Sequence, residues 1–357
     1  MSAEAHIRAF AVLQPGADVI NFSYRPMPLQ SNQVEIDIIA CGVCHSDLHQ
    51  QHNDWGSANF PLVLGHEIIG RVVALGADVK HLAMGQRVGV GPQTGSCDHC
   101  EQCQSGRNQL CSKKVKSYNT PTGNSHQPYT YGGFADKIRV RADWAFPIPD
   151  ALDAVNAAPI MCAGLTTWAP FVQHDLQKGD VVGIIGIGGL GHMALQFSRA
   201  LGFDTTAIST SANKKDEAVF LGANHFLNVN DTKQYESRLG TFDFLLSTVS
   251  ADNVDWALYL NLLKPEGKLC MVGLPLEVTF KPGPLVTRNL SIVGSYLAPP
   301  GEITKMLNFA AEHHIQAMTE RLTMTASNCN LALKNVAENT VRYRMVLVNS
   351  NVSDQSL

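Results

Sequence analysis

The sequence predicts an α/β protein in two parts: a β-rich domain over residues 1–150, then a doubly wound parallel sheet flanked by helices over 151–293, with 294–357 returning to the first part. Three observations carry this reading. At 357 residues the chain exceeds what one hydrophobic core usually accommodates. Residues 1–150 hold short apolar runs, such as 34–40 and 68–75, broken by Gly, Pro and Asn, as strands and loops require. Beyond them apolar runs alternate with helix-like segments: 181–185, 190–201, 205–209, 214–221, 242–247, 254–263 and 268–272. That alternation is the pattern of a parallel sheet covered by helices. The last part has a helix-like segment at 302–312 and a strand-like run at 345–348.

Composition narrows the function classes. Hydrophobic residues make up 45% and charged residues 16%, the balance of a globular protein that folds. A net charge of −4 supplies no basic field for nucleic acid or anionic lipid, so a small molecule is the expected partner. The first residues lack a basic stretch followed by an apolar one, so a cytoplasmic location is expected. Residues 181–198 contain no Asp, Glu, Lys or Arg and match a membrane span in length, but five are glycine, and they are read as strand, turn and helix. Nine cysteines in a reducing compartment point away from a disulfide framework and toward metal, chemistry or burial.

Gly186, Ile187, Gly188, Gly189, Leu190 and Gly191 satisfy G-x-G-x-x-G directly after an apolar strand and at the head of a helix. The glycines allow a tight turn and close backbone approach, and the helix N-terminus offers free N–H groups to a pyrophosphate, so a dinucleotide is expected. The competing reading is a glycine-rich turn without a ligand. About twenty residues on, an NAD site would carry Asp or Glu for the ribose 2′-hydroxyl. This chain has Ser209, Thr210, Ser211, Ala212, Asn213, Lys214 and Lys215 instead. Hydroxyls and an ammonium suit a 2′-phosphate, which favours NADP(H); Asp204 is read as preceding the strand. A polar loop capping the helix that starts near Lys214 is the plainer alternative.

Cys97, Cys100, Cys103 and Cys111 lie in one loop, 95–113, rich in Gly, Asp, Asn and Ser. Four thiolates close a tetrahedron around Zn²⁺ and leave no open vertex, the chemistry of a structural site. An iron–sulfur cluster also takes four thiolates, but the wide last gap and the absent Cys-Pro fit it poorly. A second, dispersed set comprises Cys44 within the run Cys41 to His49, His66 with Glu67, and Cys162. Two thiolates and an imidazole would leave zinc an open position, the catalytic arrangement; individually, each residue also reads as a buried or hydrogen-bonded core group.

These motifs, with Ala163, Gly164, Leu165, Thr166, Thr167 and Trp168, and Ser247, Thr248, Val249, Ser250 and Ala251, together resemble the zinc-containing medium-chain alcohol dehydrogenases, in the cinnamyl alcohol dehydrogenase branch. The resemblance implies a GroES-like catalytic domain and a Rossmann domain. It implies a catalytic zinc on Cys44, His66 and Cys162, with Glu67 an occasional ligand, and a structural zinc on Cys97, Cys100, Cys103 and Cys111. Asp47 would orient His66, Ser46 would bond the substrate oxygen, and His49 would carry the proton onward. His45, Thr166, Thr248, Val272, Gly273, Leu274, Pro275, Gly294, Ser295 and Tyr296 would lie along the cofactor. The reaction implied is reversible hydride transfer between NADP(H) and a primary alcohol or aldehyde, in a homodimer or homotetramer.

The likeness thins at Lys116, where the branch has an aromatic residue, over the long polar segment 118–131, and at Ala298, Pro299 and Pro300. A broad aliphatic and aromatic aldehyde range is therefore expected over a dedicated cinnamyl one. The alternatives are a polyol or sugar-alcohol dehydrogenase, and a zinc protein that senses NADP(H) without turnover.

Overall fold

A computed structural model of the protein describes residues 6–350. The chain forms two compact units: one runs to Cys162 and resumes at Ala298, and Ala163–Leu297 is the other. The change of sequence pattern at 150 thus precedes the physical break. Residues 151–162 form the short helix Ala154–Ala157, capped by Asp153, and the turn Pro159–Met161, both packed on strands of the first unit. In sequence this apolar stretch runs straight into the helix Ala163–Gln173, so hydrophobicity alone does not mark the break.

The first unit is β-rich. Its main sheet runs in the order Phe146–Pro147, Arg87–Val90, Glu67–Leu75, Gln33–Val43, Arg344–Val348, Thr319–Thr323, and Lys137–Arg141 also pairs with Gln33–Val43. In Gln33–Val43 the side chains first alternate and then are wholly buried, Val34 and Ile36 being fully buried. Two antiparallel registers matter for the site. Gly42 pairs with Glu67, and Val43 pairs with Met345, so Cys44, His66 and Arg344 emerge at one end of the sheet.

The second unit is a six-stranded parallel sheet in the order His225–Asn228, Asp204–Ser209, Val181–Ile185, Phe242–Ser247, Leu263–Met271, Ser291–Gly294. This is the doubly wound order, with its switch point between Val181–Ile185 and Phe242–Ser247. Strands 181–185 and 242–247 fall where the sequence puts them. The sheet's edge strands, His225–Asn228 and Ser291–Gly294, are short and only partly buried, and carry too few apolar residues to read as runs. The uncharged stretch 181–198 divides into the strand Val181–Ile185, the glycine turn and most of the helix Gly191–Ala200. Among the described residues no single helix is long and apolar enough to cross a membrane.

Candidate functional site

Three stretches of the first unit bring together Cys44, His66 with Glu67, and Cys162, all buried, with ligand atoms within 4.8 Å of one another. Cys44 caps the helix His45–His52, just after the central strand ends. Asp47, on that helix's first turn, is fully buried and accepts the Cys44 N–H at 2.9 Å, which ties the thiol's backbone to the helix. The same carboxylate accepts the Gly65 N–H at 3.0 Å and lies 3.2 Å from His66 Nδ1. Because a carboxylate can only accept, Nδ1 carries a proton whatever the charge of the ring, and Nε2 is the nitrogen left for a metal to take.

Electrostatics in this pocket favour a thiolate. A hydrogen bond from the Cys162 thiol draws Cys44 well below the ordinary thiol range against the opposing effect of burial, with His66 adding to it. Burial resists protonation of His66, but the charge and hydrogen bond of Asp47 hold its pKa well above the usual value. Ser46 is half-buried with its hydroxyl 3.8 Å from Cys44 Sγ. His49 shares a helix face with Ser46, three residues on. Its Nδ1 is 2.8 Å from Asp54 Oδ2, and its ring lies 4.9 Å from that of Trp55.

Three residues here escape a reading of the sequence. Arg344 makes a buried ion pair with Glu67 Oε1, while Glu67 Oε2 has no partner. Burial raises the Glu67 carboxyl to about 7, with the Arg344 charge as the main opposing influence. The Tyr118 hydroxyl lies 3.0 Å from Asp47 Oδ1 and 3.2 Å from His66 Nδ1. Burial and the Asp47 charge raise its pKa well above the ordinary value. Asp54 follows the helix by two residues and looks in sequence like any loop carboxylate. Arg344 and Tyr118 lie far from Cys44 along the chain, and no local signal marks them.

The four-cysteine loop closes on itself. Sγ separations are 3.5 Å for Cys100–Cys103, 3.9 Å for Cys100–Cys111 and 4.0 Å for Cys97–Cys103. A regular tetrahedron with Zn–S near 2.3 Å puts sulfurs about 3.8 Å apart, so the donor set fits one zinc ion. The Cys97 thiol is lowered to about 6, first by the backbone N–H of His99. Arg141 anchors the loop, donating to the Ser96 carbonyl at 2.9 Å and pairing with Asp98 at 2.8 Å. All nine cysteines are free thiols.

In the second unit the turn 186–191 lies at the carboxyl end of Val181–Ile185, at the switch point of the sheet. Gly186 has φ +86°, and a Cβ on Gly191 would stand 1.9 Å from the Gly186 carbonyl oxygen, so the turn closes only with glycine there. A Cβ on Gly188 would meet nothing within 4 Å, leaving the side where a phosphate would approach open. Ile187 is buried, whereas Gly188, Gly189 and Leu190 are half-buried.

Ser209 ends the strand Asp204–Ser209, with Thr210 and Ser211 exposed after it. Lys214 reaches back across the turn, its Nζ 2.6 Å from the Ile187 carbonyl oxygen. Asp204 is the first residue of that strand rather than the one before it, at the end away from the turn, and it pairs with His225 at 3.0 Å. Lys214 closes a short 3-10 turn, Ala212–Lys214, and the helix proper is Lys215–Phe220. Thr248 Oγ1 donates to the carbonyls of Ile185 and Gly186, both at 3.0 Å, and so buttresses the turn.

The remaining expected cofactor neighbours sit at several places. Thr166 is half-buried in the helix Ala163–Gln173; Val272 and Gly273 follow the strand Leu263–Met271, with Leu274 and Pro275 beyond them. Gly294 ends the strand Ser291–Gly294, Ser295 bonds Gln173 at 3.2 Å, and Tyr296 is exposed. His45, first residue of its helix, belongs to the other unit, its ring 6.2 Å from that of His49.

Comparison with known proteins agrees with this anatomy. Residues 30–150 match the family described as alcohol dehydrogenase GroES-like domain, and 189–312 match zinc-binding dehydrogenase. An aldehyde reductase of Synechocystis sp. is 38% identical over 96% of this chain and 99% of its own length. A cinnamyl alcohol dehydrogenase of Sorghum bicolor superposes with a TM-score of 0.91 at 34% identity, over 96% of this chain and 98% of that one. One from Helicobacter pylori, solved with NADP(H), superposes with a TM-score of 0.88 at 27% identity, over 97% and 99%.

Proposed function

The chain belongs to the zinc-containing medium-chain alcohol dehydrogenases, in their cinnamyl alcohol dehydrogenase-like branch, and on that premise we propose that it is an NADP(H)-dependent aldehyde reductase holding two zinc ions. The observation that carries the reading is the buried convergence of Cys44, His66, Glu67 and Cys162. The donors suit zinc, since two thiol sulfurs and an imidazole make the mixed S and N set it prefers and leave one vertex for substrate. When bound there, zinc supplies Lewis acidity that polarises a carbonyl and makes an alcohol easier to deprotonate. The reduced dinucleotide supplies the hydride.

The chain's own residues manage the proton. In aldehyde reduction the Ser46 hydroxyl, beside the ligand set, hydrogen-bonds the substrate oxygen and gives it a proton, which His49 resupplies from Nε2 along the helix face. Asp54 at Nδ1 steadies the imidazolium that makes this donation, and alcohol oxidation runs the same steps in reverse. Cys97, Cys100, Cys103 and Cys111 hold the second zinc, which keeps the irregular loop folded. A preference for NADP(H) over NAD(H) is supported by the Lys214 ammonium over the turn and by hydroxyls, not a carboxylate, at the end of the strand Asp204–Ser209. A homodimer, or a tetramer built from it, is supported by the sheet edge Ser291–Gly294 and by Leu276 and Val286, 79% and 80% exposed. A cytoplasmic location completes the reading, in keeping with the free thiols.

Metal analysis, with NADPH-driven assays against aliphatic and aromatic aldehydes and polyols, tests it. Two zincs per chain and aldehyde turnover support the reading, whereas one zinc and no turnover favour a sensor. Cys44→Ser should lose zinc and activity; full retention of both would overturn the ligand assignment.

A further inference from the structure

Tyr118 lies outside any helix or strand, just past the four-cysteine loop, with its ring buried. A buried phenol needs some hydrogen-bond partner, and a backbone carbonyl or a water would satisfy it. Here both partners belong to the candidate catalytic set: Asp47 Oδ1 at 3.0 Å and His66 Nδ1 at 3.2 Å. Asp47 can only accept, so the phenol hydrogen points to it, and the phenol oxygen is left to accept from His66 Nδ1–H. The Nδ1 proton is thus held by two acceptors, and Nε2 is the nitrogen left for a metal. Asp47 Oδ1 in turn takes donors from the Gly65 N–H and the phenol, and Oδ2 takes the Cys44 N–H, so one carboxylate fixes the backbone of Cys44 and of Gly65, the residue before His66.

We propose that Tyr118 is a positioning residue of the catalytic metal site: by bridging Asp47 and His66 it fixes the tautomer and ring plane of His66, and so sets how tightly that site holds zinc. The inference rests on Cys44, His66 and Cys162 being the zinc ligands. The segment is held in place independently of the hydroxyl. Asn119 donates to Gln50 Oε1 and to the Ser57 carbonyl, both at 2.8 Å, and accepts from Asn59 N–H at 2.9 Å. Removing one oxygen from residue 118 therefore leaves the fold of the segment intact.

The test is Tyr118→Phe in the zinc-loaded full chain, titrated with a zinc chelator. Loss of such an outer partner typically weakens a metal site by about 10–100-fold, and the zinc of the four-cysteine loop should be unaffected. The visible spectrum of the cobalt-substituted protein should also change, while the metal-free melting temperature should match wild type. Wild-type zinc affinity at both sites in Y118F would overturn the proposal, as would a metal-free form destabilised as much as the loaded one, which marks a purely structural role. Wild-type protein that holds zinc only in the four-cysteine loop would overturn the ligand assignment itself, and that failure is visible without any variant.

Discussion

Replacing Arg344 with methionine should destabilise the protein by about 3–5 kcal/mol, because it removes the ion-pair partner of a fully buried carboxylate. The Arg344 side chain is 7% exposed and its partner Glu67 is fully buried. One Glu67 oxygen rests on the guanidinium and the other has no hydrogen bond. Burial already raises the Glu67 carboxyl to about 7 with the arginine present. Without that charge the group must either protonate or remain ionised and unpaired in a dry site, and both raise the free energy of the folded state. Glu67→Gln alone should also destabilise, since it leaves a buried guanidinium facing a neutral amide. The double variant should lose less than the sum of the two single losses, with a coupling of about 1–3 kcal/mol. Urea denaturation of the four metal-free proteins, comparing midpoints at constant slope, measures this cycle. An Arg344→Met variant within about 0.5 kcal/mol of wild type, the range of ordinary surface changes, or a coupling near zero, would refute the argument.

Three further outcomes follow from the same geometry. Ser209→Asp puts a carboxylate where the 2′-phosphate would bind, and should lower kcat/KM for NADPH by about 10–100-fold, the weight of one charged hydrogen bond, while sparing NADH; unchanged selectivity in steady-state assays would count against that location. His49→Gln should slow turnover by up to about 10²–10⁴-fold with zinc content unchanged, and Asp54→Asn should have a smaller effect in the same direction; solvent isotope effects on kcat would register the proton step, and wild-type rates would remove His49 from it. Cys111→Ser should halve the zinc content and open the loop 95–113 to limited proteolysis, whereas an intact, protease-resistant loop would show that its packing suffices without metal.

Local chemistry explains what was legible in the sequence. The four cysteines of the 95–113 loop and the glycines of the 186–191 turn sit close together in the chain, so each shows as a spacing pattern. Strands such as Val181–Ile185 and Phe242–Ser247 are buried over most of their length, so the first reads as an unbroken apolar run and the second as one interrupted by Asp243 and closed by Ser247. The proposed zinc ligands Cys44, His66 and Cys162 are recognisable in sequence only as members of a familiar set of motifs; spacing does not join them. The edge strand Ser291–Gly294, half-exposed along most of its length, offered no such run.

The residues alone determined the class of the fold, the four-thiol loop, the glycine turn and the lack of a carboxylate at 209–215, since each depends on side chains within a few positions of one another. Tertiary structure decided which distant groups meet. The register of Gln33–Val43 against Glu67–Leu75 and Arg344–Val348 brings Glu67 to Arg344, and the path of the chain after Cys111 delivers Tyr118 to Asp47 and His66. Those contacts join residues far apart in the chain, and strand pairing and burial, not sequence spacing, fix them.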